Sequence, residues 1–497
     1  MSLLKKLAGE TAIYGISTIL NRLLNYIIVT PYLTYVFNNE QEEYGDHGLM
    51  YAFAAFLMVI FTYGMETAFF RFGSKKEDLD RVFSTASISI ICSTIGLALI
   101  FILSADWIGE WLIIPPIYVL YLLFVIVFDT LVAIPFARLR LENRPIRFAL
   151  YKVANMLINV FFIFFFLEFC PYFVENNLFG VANWYDSSKK LEYVFIANLI
   201  ASGVTFLLLT PAYFKIKLVF DKALWQKMLW YAFPLIVVGI AGMINQLSDR
   251  ILIPKLLTGS PEENKVQLGI YNAAVKIAVL INLFTQAFKF AAEPFFFRHS
   301  DRVDSKIIYA QVGQAFAFVG SLAFLGLLLY LDIFQFIIAS NFREGLKIAP
   351  VMLLAYLFLG MYFNFSIWFK ITDKTYIGAY ISIAGAAISL SLNFFLIPRI
   401  GYMGAAWAAF SCFLFMAIVS YSIGRKYYPI PYPIVKIIFY IAFAVLIWWI
   451  SELIRPWLSP NVWAILGVNT VLLFVYLTGV GFSERAILAR LSKKKVL

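Results

Sequence analysis

Arg22 stands about eleven residues inside the first long apolar stretch, with Asn21 and Asn25 on either side of it. The two asparagines are four residues apart and share one helix face, from which Arg22 lies about 100° away. A charge at this depth costs about 3 kcal/mol in hydrocarbon unless a partner or a water-filled cavity compensates it. An arginine with amide neighbours is suited to bidentate contact with a phosphate. We therefore predict an anion site at these three residues, with an ion pair to Glu66 or Asp129 as the alternative.

A second polar group occurs in the apolar stretch 231–257, where Asn245 and Asp249 are four residues apart and Arg250 follows. The next stretch carries Lys276, which falls at a depth similar to that of Asp249 if the two helices are antiparallel. We expect a structural Asp249–Lys276 ion pair, which leaves Arg250 available for an anion. Arg250 is therefore the second predicted substrate contact.

Two lysines are secondary candidates for contact with the same anion. Lys276 and Lys289 lie towards the two ends of one apolar stretch, with Gln286 between them. Lys289 is four residues from Glu293 on the same helix face, so an ion pair between these two is the alternative. Lys152 lies only about four residues inside its own stretch, and we expect its ammonium group to reach the membrane surface.

Carboxylates within the apolar stretches are candidates either for coupling to a cation or for structural ion pairs. These are Glu66, Asp129, Asp249 and Glu293. The deepest charges without an obvious partner, Arg22 and Arg250, are arginines. Because arginine suits a phosphate, this balance favours an anionic, phosphate-bearing substrate over a cationic drug.

The sequence lacks the motifs of nucleotide-driven and metal-dependent proteins. It contains no G-x-x-x-x-G-K-[ST] loop, which argues against ATP-driven transport within this chain. The histidines, His47 and His299, and the cysteines form no cluster with the spacing of metal ligands. We predict a protein that is not an enzyme and that uses no metal or cofactor.

Membrane-spanning helices must position these residues. The chain has 497 residues, of which 62% are hydrophobic and 14% charged, and its mean hydropathy is +0.82. Soluble domains have about 25% charged residues, and a helix of about 20 apolar residues crosses the bilayer. We predict an all-α polytopic membrane protein with about fourteen spans, at 11–37, 49–72, 82–104, 113–137, 148–169, 193–214, 231–257, 269–293, 307–330, 348–370, 376–397, 403–423, 434–454 and 461–482.

The net charge of +11 is distributed unevenly between the two sides of the predicted membrane. With the amino terminus in the cytoplasm, roughly 27 Lys and Arg fall on that side and about 8 on the other. This bias predicts a bacterial inner-membrane protein with both termini in the cytoplasm. The basic tail at 493–495 is suited to anionic lipid, so we expect membrane lipids, and not nucleic acid, as partners.

The pattern E-x-x-F-F-R occurs twice, at Glu66–Arg71 and at Glu293–Arg298. Each copy closes an apolar run that began just after a glycine, Gly45 or Gly269. A signature repeated at matching points predicts two related six-helix lobes around a central cavity. Pro31 is expected to bend the first span, either as a hinge or as a static kink. We place the borders at 1–214 for the N-terminal lobe, 215–230 for a cytoplasmic connection, 231–424 for the C-terminal lobe, and 425–497 for an additional hairpin and basic tail.

Several stretches of the sequence carry the motifs of one family of membrane proteins. They are Glu43–Gly45 and Gly64–Phe72 in the second span, Ser248–Arg250 in the seventh, and Gly269–Tyr271 and Glu293–Phe296 in the eighth. The most specific is Asn393–Ala406, which is similar to the family pattern N-x-x-L-I-P-x-x-G-x-x-G-A-A. With these stretches the chain resembles polysaccharide exporters and O-antigen flippases. The resemblance covers nearly the whole chain and indicates the multidrug/oligosaccharidyl-lipid/polysaccharide exporter superfamily.

This resemblance implies two lobes that alternate between inward-open and outward-open states. In the lipid-linked branch, an oligosaccharide on undecaprenyl pyrophosphate crosses the inner membrane for synthesis of O-antigen, capsule or exopolysaccharide. Arg22 matches a basic residue common in the first span of that branch. The implied protein partners are a polysaccharide polymerase and glycosyltransferases. The alternatives are a lipid II flippase, whose arginine-rich first span is only partly matched, and a cation-coupled multidrug exporter, which Arg22 and the hairpin disfavour.

Overall fold

The described secondary structure is helical, as the sequence predicts. The computed structural model describes residues 23, 25–73, 79–215, 219–298, 302–372, 374–458 and 461–493. In these ranges thirteen helices are long and apolar enough to cross a membrane. They correspond to the second to fourteenth predicted spans, so the prediction of an all-α polytopic protein is confirmed. Of the first predicted span, 11–37, the structure describes residue 23 and the second half from residue 25, which includes the apolar helical segment Tyr26–Val36.

The first nine helices, numbered here in chain order, lie in the amino-terminal part of the chain. Their bounds are α1 Thr30–Val36, α2 Gln41–Thr62, α3 Met65–Phe72, α4 Leu79–Leu103, α5 Ala105–Leu112, α6 Pro116–Leu141, α7 Pro145–Phe164, α8 Cys170–Glu175 and α9 Lys190–Leu209. A π-helical turn at Phe165–Phe169 joins α7 to α8, so that one helical segment, Pro145–Glu175, is long enough to cross the membrane.

The remaining helices follow the basic connection. Their bounds are α10 Lys222–Leu256, α11 Pro261–Arg298, α12 Ser305–Leu329, α13 Leu331–Phe334, α14 Ala349–Phe365, α15 Ile367–Ile371, α16 Thr375–Ile400, α17 Tyr402–Tyr427, α18 Ile434–Leu458 and α19 Val462–Lys493. The 3-10 turn at Ser340–Ile348 leads into α14, and the two together form one apolar segment that continues to Ile371.

Pro31 marks a change of helix type. The π-helical turn Asn25–Val29 comes directly before it, and α1 begins at Thr30 with Pro31 in its first turn. Proline has no N–H to donate to the carbonyl four residues earlier, and its ring collides with that carbonyl in a regular α-helix. A wider π turn accommodates both effects.

The second predicted span, 49–72, is interrupted. Helix α2 ends at Thr62, and the next two residues, Tyr63 (φ 34°) and Gly64 (φ 70°), have left-handed backbone conformations. Two such residues in succession cannot continue a right-handed helix, and the glycine adopts its angle at no steric cost. The chain then restarts as α3, so Glu66 lies on a separate short helix and not on the membrane-spanning one.

Helix α3 is anchored by an apolar core. Buried side chains of α3, α4, α6 and α10 meet there, among them Met65, Phe69, Phe83, Ile134 and Met228. Burial of each large apolar side chain contributes about 1.5–3 kcal/mol. The core fixes the position of the first E-x-x-F-F-R copy, whose apolar residues point inward.

The described residue just before α10, Asp221, caps the amino-terminal end of that helix. The carboxylate of Asp221 accepts a hydrogen bond from the backbone N–H of Leu224 (3.0 Å) and pairs with Arg81 of α4. The hydrogen bond from Leu224 is the main cause that holds the pKa of Asp221 below its usual value. Asp221 is therefore the N-cap of α10.

The described chain forms two compact units. The first contains the described residues up to Asn272 together with Ser389–Tyr402, and the second contains Ala273–Ile388 and the residues from Met403 onward. Helices α11 and α16 each contribute one part to each unit. The lobe borders predicted at 214 and 231 remain a prediction.

The predicted hairpin, α18 and α19, is attached to α12 and α13 through hydrogen bonds and an ion pair at several levels. Helix α12 packs along α18, and α18 packs along α19. The polar pairs are Gln314–Tyr440, Ser321–Tyr476, Leu329–Asn469, Tyr330–Thr470 and Asp332–Arg455. In a bilayer such bonds replace water as the partner of each polar group. The hairpin is therefore an integral layer of the second unit.

Candidate functional site

Polar side chains of α10 and α11 meet at Asp249 in the first unit. The Oδ1 atom of Asp249 accepts hydrogen bonds from the backbone N–H (2.8 Å) and the Nη1 (3.1 Å) of Arg250, and the Tyr271 hydroxyl bonds to Oδ2. Asp249 and Tyr271 are buried, as is Asn245 one turn earlier on α10. The carboxylate thus has donors at both oxygens, which is the condition for keeping a charge in a low-dielectric site.

Arg250 is compensated by its neighbour, whereas the sequence led us to expect Arg250 to be left free. Its Nη1 also donates to the Gln246 carbonyl oxygen (3.0 Å), so the side chain folds back along α10. We expected Asp249 to pair with Lys276 because the two residues fall at a similar depth on consecutive helices. A guanidinium on the adjacent residue reaches the carboxylate from within the same helix. An anion that approaches Arg250 therefore competes with Asp249 for it.

The two glycines that open the repeated segments meet in space. A Cβ on Gly45 of α2 would lie 2.3 Å from the Lys265 carbonyl oxygen, and a Cβ on Gly269 of α11 would lie 2.1 Å from the Gln41 carbonyl oxygen. In both cases the carbonyl belongs to the residue four positions before the opposite glycine. The contact is thus reciprocal, as expected when two repeats meet about a local two-fold axis. Both positions require glycine because any side chain would enter the other backbone.

A buried ion pair connects the same two helices. Lys265 Nζ lies 3.0 Å from Asp46 Oδ2, with the side chains 15% and 9% exposed. Sequence reasoning missed this pair because both residues precede the predicted spans, which begin at 49 and 269. The helices begin earlier, at Gln41 and Pro261, and this brings the two charges into the packed region.

Two of the predicted carboxylates have partners on neighbouring helices. Glu66 pairs with Arg140 of α6 at 3.1 Å, and both side chains are more than two-fifths exposed. Asp129 accepts a hydrogen bond from Ser202 of α9 and lies within electrostatic reach of Lys152. Lys152 itself places Nζ 4.3 Å from the centre of the Phe136 ring.

The described ranges contain no group of three or more His, Cys, Asp and Glu that could hold a metal ion. The candidate carboxylates whose side chains the structure describes, Glu66, Asp129 and Asp249, are bound to Arg, Tyr or Ser side chains.

The secondary candidates lie on the part of α11 in the second unit. Lys276 is half-buried, and Lys289 places Nζ 4.6 Å from the centre of the Phe363 ring of α14. A cation over an aromatic face gains about 0.5–2 kcal/mol. The side chain of Glu293, and with it the alternative Lys289–Glu293 pair, lies outside the described residues.

The first predicted anion site lies mostly outside the described chain. This applies to Asn21 and Arg22, and of Asn25 only the backbone is described, in the π-helical turn before α1. Tyr32 of α1 donates a hydrogen bond to Glu168 (2.8 Å) in the second π turn, between α7 and α8. The turn that carries Asn25 is therefore followed by a helix, α1, that the hydrogen bond from Tyr32 to Glu168 connects to its neighbour.

An apolar cavity of about 320 Å³ lies within the second unit, between α14, α17 and the hairpin helix α18. Its walls are hydrophobic and aromatic side chains, including Phe358, Met361, Leu414, Ile418, Ile437 and Ile441. A cavity of this kind accepts hydrocarbon in preference to water.

The fold is that of a class of multi-pass transporters. A lipid II flippase, MurJ, in an inward closed conformation is 15% identical, with a TM-score of 0.72 over 96% of this chain and 99% of the flippase. An inward-facing multidrug resistance MATE transporter is 14% identical, with a TM-score of 0.57 over 84% of this chain and 94% of its own. The MATE multidrug transporter DinF-BH is 13% identical, with a TM-score of 0.57, and the match covers 86% of this chain and 96% of that one.

The sequence also matches a defined family. The family described as polysaccharide biosynthesis proteins matches residues 7–300, more than half of the chain. The chain therefore belongs to this family, and the predicted superfamily is confirmed. A comparison with curated proteins finds no match.

Proposed function

We propose that this protein is a flippase that moves an oligosaccharide linked to undecaprenyl pyrophosphate across the bacterial inner membrane. The product would enter synthesis of a surface polysaccharide such as O-antigen, capsule or exopolysaccharide. Transport would proceed by alternating access, with both termini in the cytoplasm. Glycosyltransferases would supply the substrate, and a polysaccharide polymerase would use it after transport.

The observation that carries this proposal is the family match combined with the flippase fold over 96% of the chain. The matching multidrug transporters cover 84–88% of it. The hairpin and tail at 425–497 account for 73 of the 497 residues, a share of similar size to what those transporters leave uncovered. A lipid carrier thus suits this chain better than a small cationic drug.

The residues supply two kinds of contact for such a substrate. Arg22 and Arg250 are proposed to bind pyrophosphate or an acidic sugar, with Asn21, Asn25, Lys276 and Lys289 as secondary contacts. Arg250 is charge-compensated by Asp249 (3.1 Å), so a doubly charged pyrophosphate would have to attract it more strongly than one carboxylate does. The apolar cavity beside α18 supports a route for the lipid tail along the hairpin.

The test measures export of surface polysaccharide in cells that depend on this protein. Arg22→Ala and the double variant D249N/R250Q should each reduce export at least tenfold at equal protein levels. The double variant is needed because Arg250→Ala alone leaves a buried carboxylate unpaired and destabilises the protein by about 3–5 kcal/mol. Arg399→Ala is the control, since Arg399 is an exposed arginine whose Nη1 donates to the Phe395 carbonyl oxygen in its own helix.

Other outcomes identify the competing functions. Normal export by both Arg22→Ala and D249N/R250Q would contradict the proposed anion contacts and would favour a scaffold for polysaccharide assembly. Cation-coupled drug efflux that is lost on neutralising Glu66 or Glu293 would indicate a multidrug exporter. Product formation in detergent, with no transmembrane gradient, would indicate an enzyme.

A further inference from the structure

Basic side chains from four helices lie at the end of the second unit that is predicted to face the cytoplasm. Lys306 is in the first turn of α12, Lys370 is in α15, and Lys374 comes directly before α16. Arg425 and Lys426 are in the last turn of α17. These residues follow the eighth, tenth and twelfth predicted spans, so all of them belong to the basic side of the protein.

Aromatic rings bring these basic residues together. Lys374 Nζ lies 3.9 Å from the centre of the Tyr427 ring, and Lys306 Nζ lies 4.6 Å from the centre of the Tyr428 ring. The Tyr427 ring is stacked on Trp368 of α15, with the ring centres 5.8 Å apart and the planes 4° apart. A cation is attracted to the negative face of such a ring. The basic ends of the helices therefore meet at two neighbouring tyrosines.

The segment that follows these tyrosines is fixed to the second unit. Tyr432 donates a hydrogen bond to the Asn364 carbonyl oxygen of α14 (3.1 Å). A Cβ on Gly313 of α12 would lie 2.8 Å from Tyr432 Cε1, so the tyrosine ring packs directly on that helix. The prolines at 429, 431 and 433 restrict the backbone between the two anchored parts. The basic cluster is therefore held in place before any ligand binds.

The positive charge of the cluster is poorly balanced by the acidic residues that the structure describes. Asp304, two residues before Lys306, is engaged by Arg302 through both carboxylate oxygens (2.8 and 3.0 Å). Among the described residues, no ion pair is formed by Lys306, Lys374 or Arg425. Like charges held close together repel one another. A ligand with several anionic oxygens would relieve this repulsion.

The apolar cavity described above adjoins the cluster. Two of its wall residues, Phe365 and Tyr421, also line a small pocket whose other walls include Arg425 and Tyr428. Ile438, a wall residue on α18, is 59% exposed, so the cavity of about 320 Å³ opens to the surface of the protein. In a bilayer, hydrocarbon surrounds such a surface. Charged and apolar spaces thus follow each other along one side of α17.

This sequence of spaces matches the two parts of an anionic lipid. We propose that the second unit binds an anionic phospholipid, with its phosphate at Lys306, Lys374 and Arg425 and an acyl chain in the cavity beside α18. Basic pockets between helices at the cytoplasmic side are suited to such headgroups. Phospholipid surrounds the open cavity at high concentration, so it would occupy the site by mass action. The bound lipid would connect the ends of α12, α16 and α17 to the hairpin.

The lipid site goes beyond the proposed transport function and does not require it. Its residues and their contacts belong to the folded second unit. The acyl chain would, however, share the cavity with the lipid tail of the proposed substrate, so the two lipids would compete for that space.

The headgroup contacts are tested with delipidated full-length protein in detergent. The thermal unfolding midpoint is measured during titration with dioleoylphosphatidylglycerol or with zwitterionic dioleoylphosphatidylcholine. The anionic lipid should raise the midpoint of the wild type more than the zwitterionic lipid does. K374Q/R425Q should raise the apparent Kd for the anionic lipid at least fivefold, because two charge-assisted contacts are lost.

The matched control is K189Q/R399Q. It also removes one lysine and one arginine, but both are exposed and neither belongs to the second unit. The control should bind the anionic lipid as the wild type does. Equal affinities for the anionic lipid in K374Q/R425Q and in this control would overturn the headgroup site.

A second variant tests the acyl chain and keeps every charge. Ala442 is an exposed wall residue of the cavity on α18, so Ala442→Phe fills the space without entering the packed core. This variant should also weaken binding of the anionic lipid at least fivefold. Unchanged affinity would reject the acyl chain in the cavity.

Farnesyl pyrophosphate distinguishes a bilayer lipid from the proposed substrate. If K374Q/R425Q weakens binding of farnesyl pyrophosphate but not of phosphatidylglycerol, the cluster serves the isoprenoid carrier and the phospholipid site is rejected. If K374Q/R425Q weakens phosphatidylglycerol, the phospholipid site stands. That result in a protein that exports no polysaccharide would keep the site and reject the proposed function.

Discussion

At the scale of single residues, the charges described within the spans are mostly compensated close to where they arise. Asp249 is bound by the next residue and by Tyr271, and Asp129 by Ser202. Removing a charge from water is costly, so such groups persist only with a nearby partner. A charge inside this protein is thus no evidence of substrate binding until its partner is known.

The Asp46–Lys265 pair allows this to be tested. Lys265→Met leaves a buried carboxylate unpaired and should destabilise the protein by about 3–5 kcal/mol. D46N/K265M leaves no unpaired charge and should recover most of that loss. The measurement is the unfolding midpoint of purified protein.

The control for this experiment is Arg302→Met, which breaks an exposed pair with Asp304 and should leave the unfolding midpoint nearly unchanged, because solvent screens such a pair. The expectation fails if Lys265→Met is as mild as this control.

At the scale of elements, glycine positions decide how closely α2 and α11 approach. The reciprocal contact of Gly45 and Gly269 brings each helix backbone within reach of the other. Small residues at a helix crossing are a common means of close packing in membranes. Gly45 and Gly269, which begin the two repeated segments, are therefore packing residues. The two repeated segments contact each other at these glycines.

Matched glycine substitutions should have opposite effects. An added methyl group at Gly269 would collide with the Gln41 carbonyl oxygen of α2, so Gly269→Ala should lower the unfolding midpoint of the purified protein. By contrast, a Cβ added at Gly242 of α10 would meet no atom within 4 Å. Gly242→Ala should therefore raise the free energy of unfolding by about 0.5–1 kcal/mol, because alanine loses less conformational entropy on folding than glycine does. Two substitutions with the same sign would contradict the role of the crossing.

At the scale of the whole molecule, the hairpin is built into the second unit. Polar pairs from Gln314–Tyr440 to Asp332–Arg455 join it to α12 and α13, and α18 forms one wall of the apolar cavity. The lipid II flippase matches 96% of this chain, whereas the MATE transporters match 84–88%. The substrate proposed above is an oligosaccharide on undecaprenyl pyrophosphate, and the alternative is lipid II.

Complementation distinguishes those two carriers. The protein should restore surface polysaccharide in a strain that lacks its own oligosaccharide flippase. It should fail to restore growth in a strain depleted of its lipid II flippase. Immunoblotting confirms equal amounts of protein in both strains. Restored growth in the depleted strain would instead support the lipid II alternative.

The sequence by itself determined the helical class, the order of the spans and the family. These follow from the length of each apolar run and from local motifs, which one chain segment carries without reference to any other. The sequence predicted one continuous span over 49–72, whereas two left-handed residues, the second of them Gly64, end one helix there before the next begins. The sequence also gave no indication of the Asp46–Lys265 ion pair, because both residues precede the predicted spans although they lie within the packed helices.

Only the tertiary structure decided which polar groups meet. Arg250 binds Asp249 because its side chain folds back along α10, and Asn272 lies against Gly48 because two distant glycines let their helices touch. Such pairings depend on how each helix is rotated and how closely it packs, and residue spacing within one helix does not fix either quantity. The sequence thus identified the candidate charges, and packing determined which of them are already engaged.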